Sequence, residues 1–559
     1  MVADQNSQVK ASRRSPRLGG WSIAAVLIAV PVLLPIAAVI WMGLTPSENI
    51  WPHLISTVLP RYLANTALLM AGVGVLTAAV GTGAAWLVTM HRFPGSRLLD
   101  YALLLPMAIP AYVGAYALVD FLEYSGPLQT ALRSAMGWQS ARDYWFFPVR
   151  SLGMAVVVLS AALYPYVYLL ARAAFREQSG CTYEVARALG SGPVMLFLRV
   201  GAPLARPAVA AGAALAMMET VNDFGTVDYF GVQTLTTGIF GVWLSAGNAG
   251  GAAQLSMVIL GLIVLLLFIE RMSRRNLRYY GLSRHNRPIE PEVLTGPRAW
   301  LATVLCLVPF ALGFVLPVSV IGGHALANPD AWFAPGLVDA AANTLFVGGS
   351  AALLTVLGAL ALVYGVRMTG QALPRYVLFL TGAGYAAPGA VLAVGILIPL
   401  AALDHRVADA WLALTGSDPG LILTGSAAAL VLAYCVRFFA IAQGATDAAF
   451  GRVSPSLAMA ARSLGRTETG TLGAVYLPLM KGSVATALLI VFVDCVKELP
   501  ATLLLRPFNF NTLATRVHEK ASLENLGDAS PAALLVIAVG LAAVAILARA
   551  NRAGRRPHG

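Results

Sequence analysis

About twelve apolar runs, each of roughly 20 residues and separated by short polar stretches, constrain this chain more than any other feature. A bilayer core about 30 Å thick takes about 20 mostly apolar helical residues to cross. Runs meeting that criterion fall near 21–44, 63–90, 99–121, 150–172, 205–222, 251–270, 299–323, 340–366, 375–401, 420–443, 481–499 and 531–549. Of the 559 residues, 58% are hydrophobic and 11% charged, against about 25% charged in a soluble domain. That is too little charge for a water-facing surface over most of the chain, and the sequence predicts an all-α polytopic membrane protein.

The net charge of +12 would suggest nucleic acid or acidic lipid in a soluble protein. Here the basic residues gather in alternate loops, which points to topology. One set of connections holds Arg92 and Arg97, Arg172 to Arg206, the dense run Arg271 to Arg287, Arg367 and Arg375, Arg452 to Arg466, and Arg549 to Arg556. The other set is poorer in Arg and carries Glu48, Asp120, Glu123, Asp223, Asp228, Asp330, Asp404, Asp409 and Asp418, with Arg133, Arg142, Arg506 and Lys520 as exceptions. The first set is expected in the cytoplasm with both termini. Arg13, Arg14 and Arg17 precede the first run in the manner of a signal peptide, but that run exceeds the about 7–15 residues of a signal core, so a first transmembrane helix is expected.

The chain repeats itself. Asn65-Thr66 recurs as Asn343-Thr344, Pro110 as Pro388, and Thr234-Leu235-Thr236-Thr237 as Thr512-Leu513-Ala514-Thr515. Six spans per half, an even number, give both halves the same orientation, as in parallel repeats. The expected division is a cytoplasmic arm at 1–20, a first repeat at 21–271, a basic linker at 272–298, a second repeat at 299–549 and a basic tail at 550–559.

Two loops share one motif. The first runs Glu184-Val185-Ala186, three residues, Gly190, nine residues, Val200, one residue, Ala202-Pro203; the second runs Met459-Ala460-Ala461, then Gly465, Val475 and Leu477-Pro478 at the same spacing. This resembles the Glu-Ala-Ala loop of ABC importer permeases, expected here within 181–203 and 455–478. The resemblance implies two tandem six-helix permease repeats of the MetI-like, type I class. It implies as partners two separate ATP-binding subunits and a periplasmic substrate-binding protein, in a bacterial inner membrane. Glu184, Ala186, Gly190, Pro203, Met459, Ala461, Gly465 and Pro478 would then form the ATPase contacts, with Glu184 the stronger charged contact because Met459 stands where Glu is expected. The stretch Gly465 to Thr471 has the glycine spacing of a phosphate loop but lacks its Lys, so nucleotide binding is not expected there.

After each loop come charges at membrane depth, which are costly there and therefore candidates for function. Glu219 and Asp223 align with Asp494 and Glu498, with Lys497 beside them. The stretch from Lys497 to Arg516 is similar to ferric-iron permeases of the Fbp, Sfu and Hit group, and the duplicated architecture extends that resemblance over nearly the whole chain. Carboxylates suit a hard cation such as Fe(III), yet pairing with Lys497, Arg506 or helix ends is the favoured reading of these acids. Thiamine, 2-aminoethylphosphonate, polyamine and sulfate permeases share the loop and remain alternatives. A secondary transporter would also show twelve spans in two repeats but does not explain two such loops. The seven His residues show no catalytic spacing, and Cys181, Cys306, Cys435 and Cys495 read as small buried residues. No cofactor, stable metal site, enzymatic activity or nucleic-acid partner is expected.

Overall fold

The computed structural model describes residues 20–46, 49–275, 290–369, 372–383 and 387–553. Arg13, Arg14, Arg17, Glu48, linker residues 276–289 and tail residues 554–559 lie outside the described residues. Eleven described helices are long and apolar enough to cross a bilayer, and a broken pair, Ser96–Ala108 and Ala111–Met136, makes a twelfth.

That broken pair corrects the expectation of a continuous span at 99–121, because its halves meet at 97°. Pro110 lacks an N–H and pushes the residue before it out of the helical region. Ile109 accordingly sits at φ −100°, ψ 122°, and Pro110 at φ −57°, ψ 139°. Pro388 repeats the arrangement at φ −57°, ψ 150°, opening the helix Gly389–Thr415. The run expected at 375–401 is therefore two helices, Ala372–Ala383 and Gly389–Thr415. The tenth span starts at Ala427 rather than 420, and the last helix, Leu526–Ala553, runs into the expected basic tail.

Each half is built on a sheaf of three helices: Leu59–Met90 with Leu152–Glu177 and Ala202–Asn222 in the first, and Leu337–Thr369 with Ala427–Gly451 and Leu477–Val496 in the second. The leading spans change sides. Helix Gly20–Leu44 packs on Leu337–Thr369 and Gly389–Thr415, and its Ala25 and Val32 are buried in the core of the second half. Reciprocally, Ala299, Ala302 and Cys306 of the seventh span lie in the core of the first half. Lipid supplies no hydrophobic drive between helices, so small residues that admit close backbone approach determine the contact. A Cβ on Gly395 would collide with the Pro35 carbonyl, and one on Gly365 would lie 2.9 Å from the Trp21 carbonyl oxygen. The two sequence repeats are thus not two separate bodies.

The repeated residues make repeated bonds. The Asn65 amide donates to the Gln233 carbonyl at 2.8 Å, and the Asn343 amide to the Asn511 carbonyl at 3.0 Å. Thr66 Oγ1 accepts from the Leu235 N–H at 3.1 Å, and Thr344 Oγ1 from the Leu513 N–H at 2.8 Å. Thr234 with Thr237, and Thr512 with Thr515, close matching capping boxes. In lipid an unmet backbone group costs several kcal/mol, which explains why these short polar motifs persist among apolar residues. Of the cysteines, Cys306 and Cys495 are buried and Cys435 half-buried, but Cys181 is exposed. It stands in the first turn of the short helix Gly180–Ala188, whose core contacts are made by Tyr183 and Ala186 instead.

Gly395→Val should wedge the first span away from the ninth. The expected cost is about 1–3 kcal/mol, typical of overpacking, read as a lowered thermal unfolding midpoint of the detergent-purified chain.

Candidate functional site

The two motif loops fold alike. Nine-residue helices Gly180–Ala188 and Pro455–Ser463 carry the first parts of the motif. Gly190 at φ +84° and Gly465 at φ +81° then leave in the left-handed region, which only Gly adopts cheaply. The Gly190 N–H bonds the Arg187 carbonyl at 2.9 Å and the Ser191 N–H the Ala186 carbonyl at 3.0 Å; Gly465 to Arg462 at 2.9 Å and Arg466 to Ala461 at 3.1 Å match them. Both ends are Schellman motifs, which satisfy the last carbonyls of the helix. A π-helical turn follows in each, Phe197–Gly201 and Leu472–Tyr476, directly ahead of Pro203 and Pro478.

Glu184, Gly190 and Gly465 are exposed, Ala186 and Pro203 half-buried, Pro478 exposed and Ala461 buried. Met459 is 61% exposed, and Leu189 and Leu464, which precede the two glycines, are 81% and 85% exposed. Apolar side chains that far into solvent on both loops form surfaces suited to a protein partner.

Each loop is held differently. In the first half Trp86 packs against Phe175, Tyr183 and Phe197 with ring centroids 5.1–5.9 Å apart, and a Cβ on Gly201 would run into its indole. In the second, Tyr364 replaces the larger indole, Tyr476 fills the place corresponding to Gly201, and the Tyr364 hydroxyl donates to the Glu468 carbonyl at 2.5 Å. The first loop has an additional tie: Arg187 pairs with Glu292 at 3.0 Å, beside a two-residue parallel ladder joining His91–Arg92 to Glu292–Val293. Burial and the nearby Arg187 charge push His91 below its ordinary pKa, against an opposing pull from Glu292.

Glu219, Asp223, Asp494, Lys497 and Glu498 all line one cavity of about 130 Å³ between the halves. Two of the acids cap helices that begin inside the protein. Asp223 accepts from the N–H groups of Thr226 at 2.9 Å and Val227 at 3.2 Å, and from the Thr226 hydroxyl at 3.0 Å. Glu498 accepts from the N–H groups of Ala501 and Thr502, both at 3.0 Å, and from the Thr502 hydroxyl at 2.7 Å. Lys497 pairs with Asp494 at 2.7 Å. Arg506, considered as a partner from the sequence, instead joins Glu519 at 2.5 Å and bonds Asn511.

Sequence reasoning passed over Arg437, whose guanidinium lies 3.2 Å from Glu498 in a nearly dry pair. Its signal was present: it is a cation inside the apolar run 420–443, where charge is costly. Tyr112 and Asn222 also line the cavity, and neither had a signal beyond its neighbours.

Residues 72–278 match the family of the binding-protein-dependent transport system inner membrane component. The chain is 26% identical to the Fe(3+)-transport system permease protein FbpB 2 of Haemophilus influenzae over 92% of this chain and 95% of that protein. It is 22% identical to the ferric transport system permease protein FbpB of Actinobacillus pleuropneumoniae over 80% of this chain and 64% of that protein. The molybdenum transport system permease protein ModB of Escherichia coli K12 is 27% identical over 34% of this chain but 82% of its own length, so about one half here corresponds to one whole permease there. Two halves that share a set of matching bonds, a family match over residues 72–278 and similarity to a ferric permease along nearly the whole chain together support a multi-pass transport permease with two permease halves fused in one polypeptide.

Proposed function

We propose that this permease carries Fe(III), handed over by a periplasmic binding protein, across a bacterial inner membrane, driven by two separate ATP-binding subunits. The substrate reading is carried by the near-full-length similarity to an Fe(3+)-transport permease. Sulfate permeases are also relatives, one over 44% of this chain, but an oxyanion site needs available cations. Both cations at the cavity, Lys497 and Arg437, are ion-paired with Asp494 and Glu498, so the cavity charges favour neither sign of cargo and the similarity decides the reading.

In this reading the loops around 181–203 and 455–478 seat the ATPase subunits, and both termini with the linker 272–298 face the cytoplasm. Closure of the ATPases rotates the two permease repeats, 21–271 and 299–549, and opens the path outward. The exposed apolar residues on both loops support the docking role. Glu184 supplies a charged contact at one loop and Met459 an apolar one at the other, so the two seats are unequal. Glu219, Asp223, Asp494, Lys497 and Glu498, with Arg437, act as the gate between the halves.

The test is co-purification with the ATPase encoded beside it, followed by ATP hydrolysis in liposomes with and without the iron-loaded binding protein. Stimulation by the iron-loaded form alone is expected. Assembly without iron-dependent stimulation moves the cargo elsewhere, and failure to assemble restores the secondary transporter.

Replacing Gly190 or Gly465 by Val puts a β-branched residue at positive φ, at a cost of about 1–2 kcal/mol. That corresponds to about tenfold in assembly, so coupled uptake should fall by at least that factor while membrane insertion is unchanged; normal uptake in both variants removes the docking role. Arg437→Met strands the buried Glu498 carboxylate and should cost about 3–5 kcal/mol, seen as a lower unfolding midpoint and higher basal ATP hydrolysis. Arg437→Met with Glu498→Gln should recover part of both, and wild-type behaviour of the single variant would contradict the clasp.

A further inference from the structure

One wall of the first loop seat comes from the linker ahead of the seventh span. A cavity of about 650 Å³ opens there, lined by Glu184, Arg187 and Ser191 of the loop and by Glu290 and Glu292 of the linker. Backbone bonds fix the linker segment in place: Glu292–Val293 pairs in parallel with His91–Arg92, and the Leu294 N–H donates to the Arg92 carbonyl at 2.9 Å. The helix that follows buries Ala299, Ala302 and Cys306 in the core that also receives Tyr183 and Leu196 of the loop. Loop and linker segment therefore belong to one packed body.

The charge of this cavity runs against the face on which it opens. The connections on the loop side are the Arg-rich set, yet here three carboxylates, Glu184, Glu290 and Glu292, meet one guanidinium, Arg187. Arg187 is engaged by Glu292 at 3.0 Å. Burial holds the His91 imidazole below its usual pKa, so at neutral pH it adds no positive charge. Glu184 and Glu290 are exposed, and among the described residues neither is in an ion pair. The second loop helix, Pro455–Ser463, has no acid: Met459 stands in place of Glu184, with Arg462 inside the helix and Arg466 just beyond it. The two loops share a backbone and differ in charge.

We propose that Glu290 and Glu292 join Glu184 to make the first seat an acidic cleft that takes an Arg- or Lys-bearing surface segment of the ATP-binding subunit; this rests on the docking reading above. Carboxylates that share a site repel one another, and a cation seated among them removes that repulsion. Glu184 and Ser191 flank the exposed Leu189 and Gly190 in the chain, so cleft and docking surface are continuous and one partner covers both. The same partner surface meets carboxylates at one seat and Met459, Arg462 and Arg466 at the other. Rim charges govern association rate and salt dependence, and salt screens exposed pairs. Salt should therefore weaken binding at the first seat and not at the second.

The test is native mass spectrometry, which counts bound subunits, on the full chain in lipid nanodiscs titrated with the ATPase encoded beside it at low and high NaCl. High salt should weaken one of two binding steps about tenfold and spare the other. Glu290→Lys should weaken that same step about tenfold at low salt and abolish its salt dependence; Glu290 is exposed and unpaired, so the variant should fold as the wild type does. Gly465→Val should remove the step that salt spares. Equal salt dependence of both steps overturns the acidic cleft. So does unchanged binding in Glu290→Lys while Gly190→Val and Gly465→Val each lose a subunit, and that result leaves the docking loops standing. Two subunits bound with wild-type affinity in all three variants overturns cleft and docking role together.

Discussion

A helix that begins inside a bilayer presents N–H groups with no water to receive them, and this structure depends on how that demand is met. Asp223 and Glu498 supply the answer twice, each bonding the amides three and four residues ahead. An acid is expensive at that depth, but one that accepts several amide hydrogens at a helix start is in a favourable field. The caps allow the chain to turn beside the cavity, with Asn222 directly ahead of the first turn and Tyr112 and Arg437 reaching the wall from other helices. The polar character of the centre thus follows from a backbone requirement, before any cargo is considered.

The same economy runs through the loops. A left-handed Gly, a Schellman pair and a π-turn ahead of a proline occur at matching positions in both halves. Around these fixed backbones the side chains are free to differ, as Trp86 with Gly201 and Tyr364 with Tyr476 do. One large ring fills the space in the first half and two smaller rings fill it in the second.

Much of the fold was legible in the sequence, and the reasons are physical. Apolar length marks a span, and ten of the runs became single helices while Pro110 broke the third; the ninth was misjudged because Pro388 sits inside an uninterrupted apolar stretch. The repeat was visible through Asn65, Thr66, Thr234 and their partners because each makes a bond that an apolar residue cannot. The side on which the first span packs was not legible: Gly395 and Gly365 look like any other small residues until a neighbour's carbonyl is set against them. Arg437 could have been found from its charge alone. Tyr112 could not, since its place at the cavity is recognisable only when its surroundings are known.

The exchange of leading spans has a consequence for how the protein is made. Helix Gly20–Leu44 is synthesised long before Leu337–Thr369 and Gly389–Thr415, the helices that receive it. Of its neighbours only Ala249–Arg275 belongs to the first half, so until the others emerge from the ribosome most of its surface faces lipid. It is the most apolar of the described spans and contains no charged residue, as a segment that waits for its partners must be.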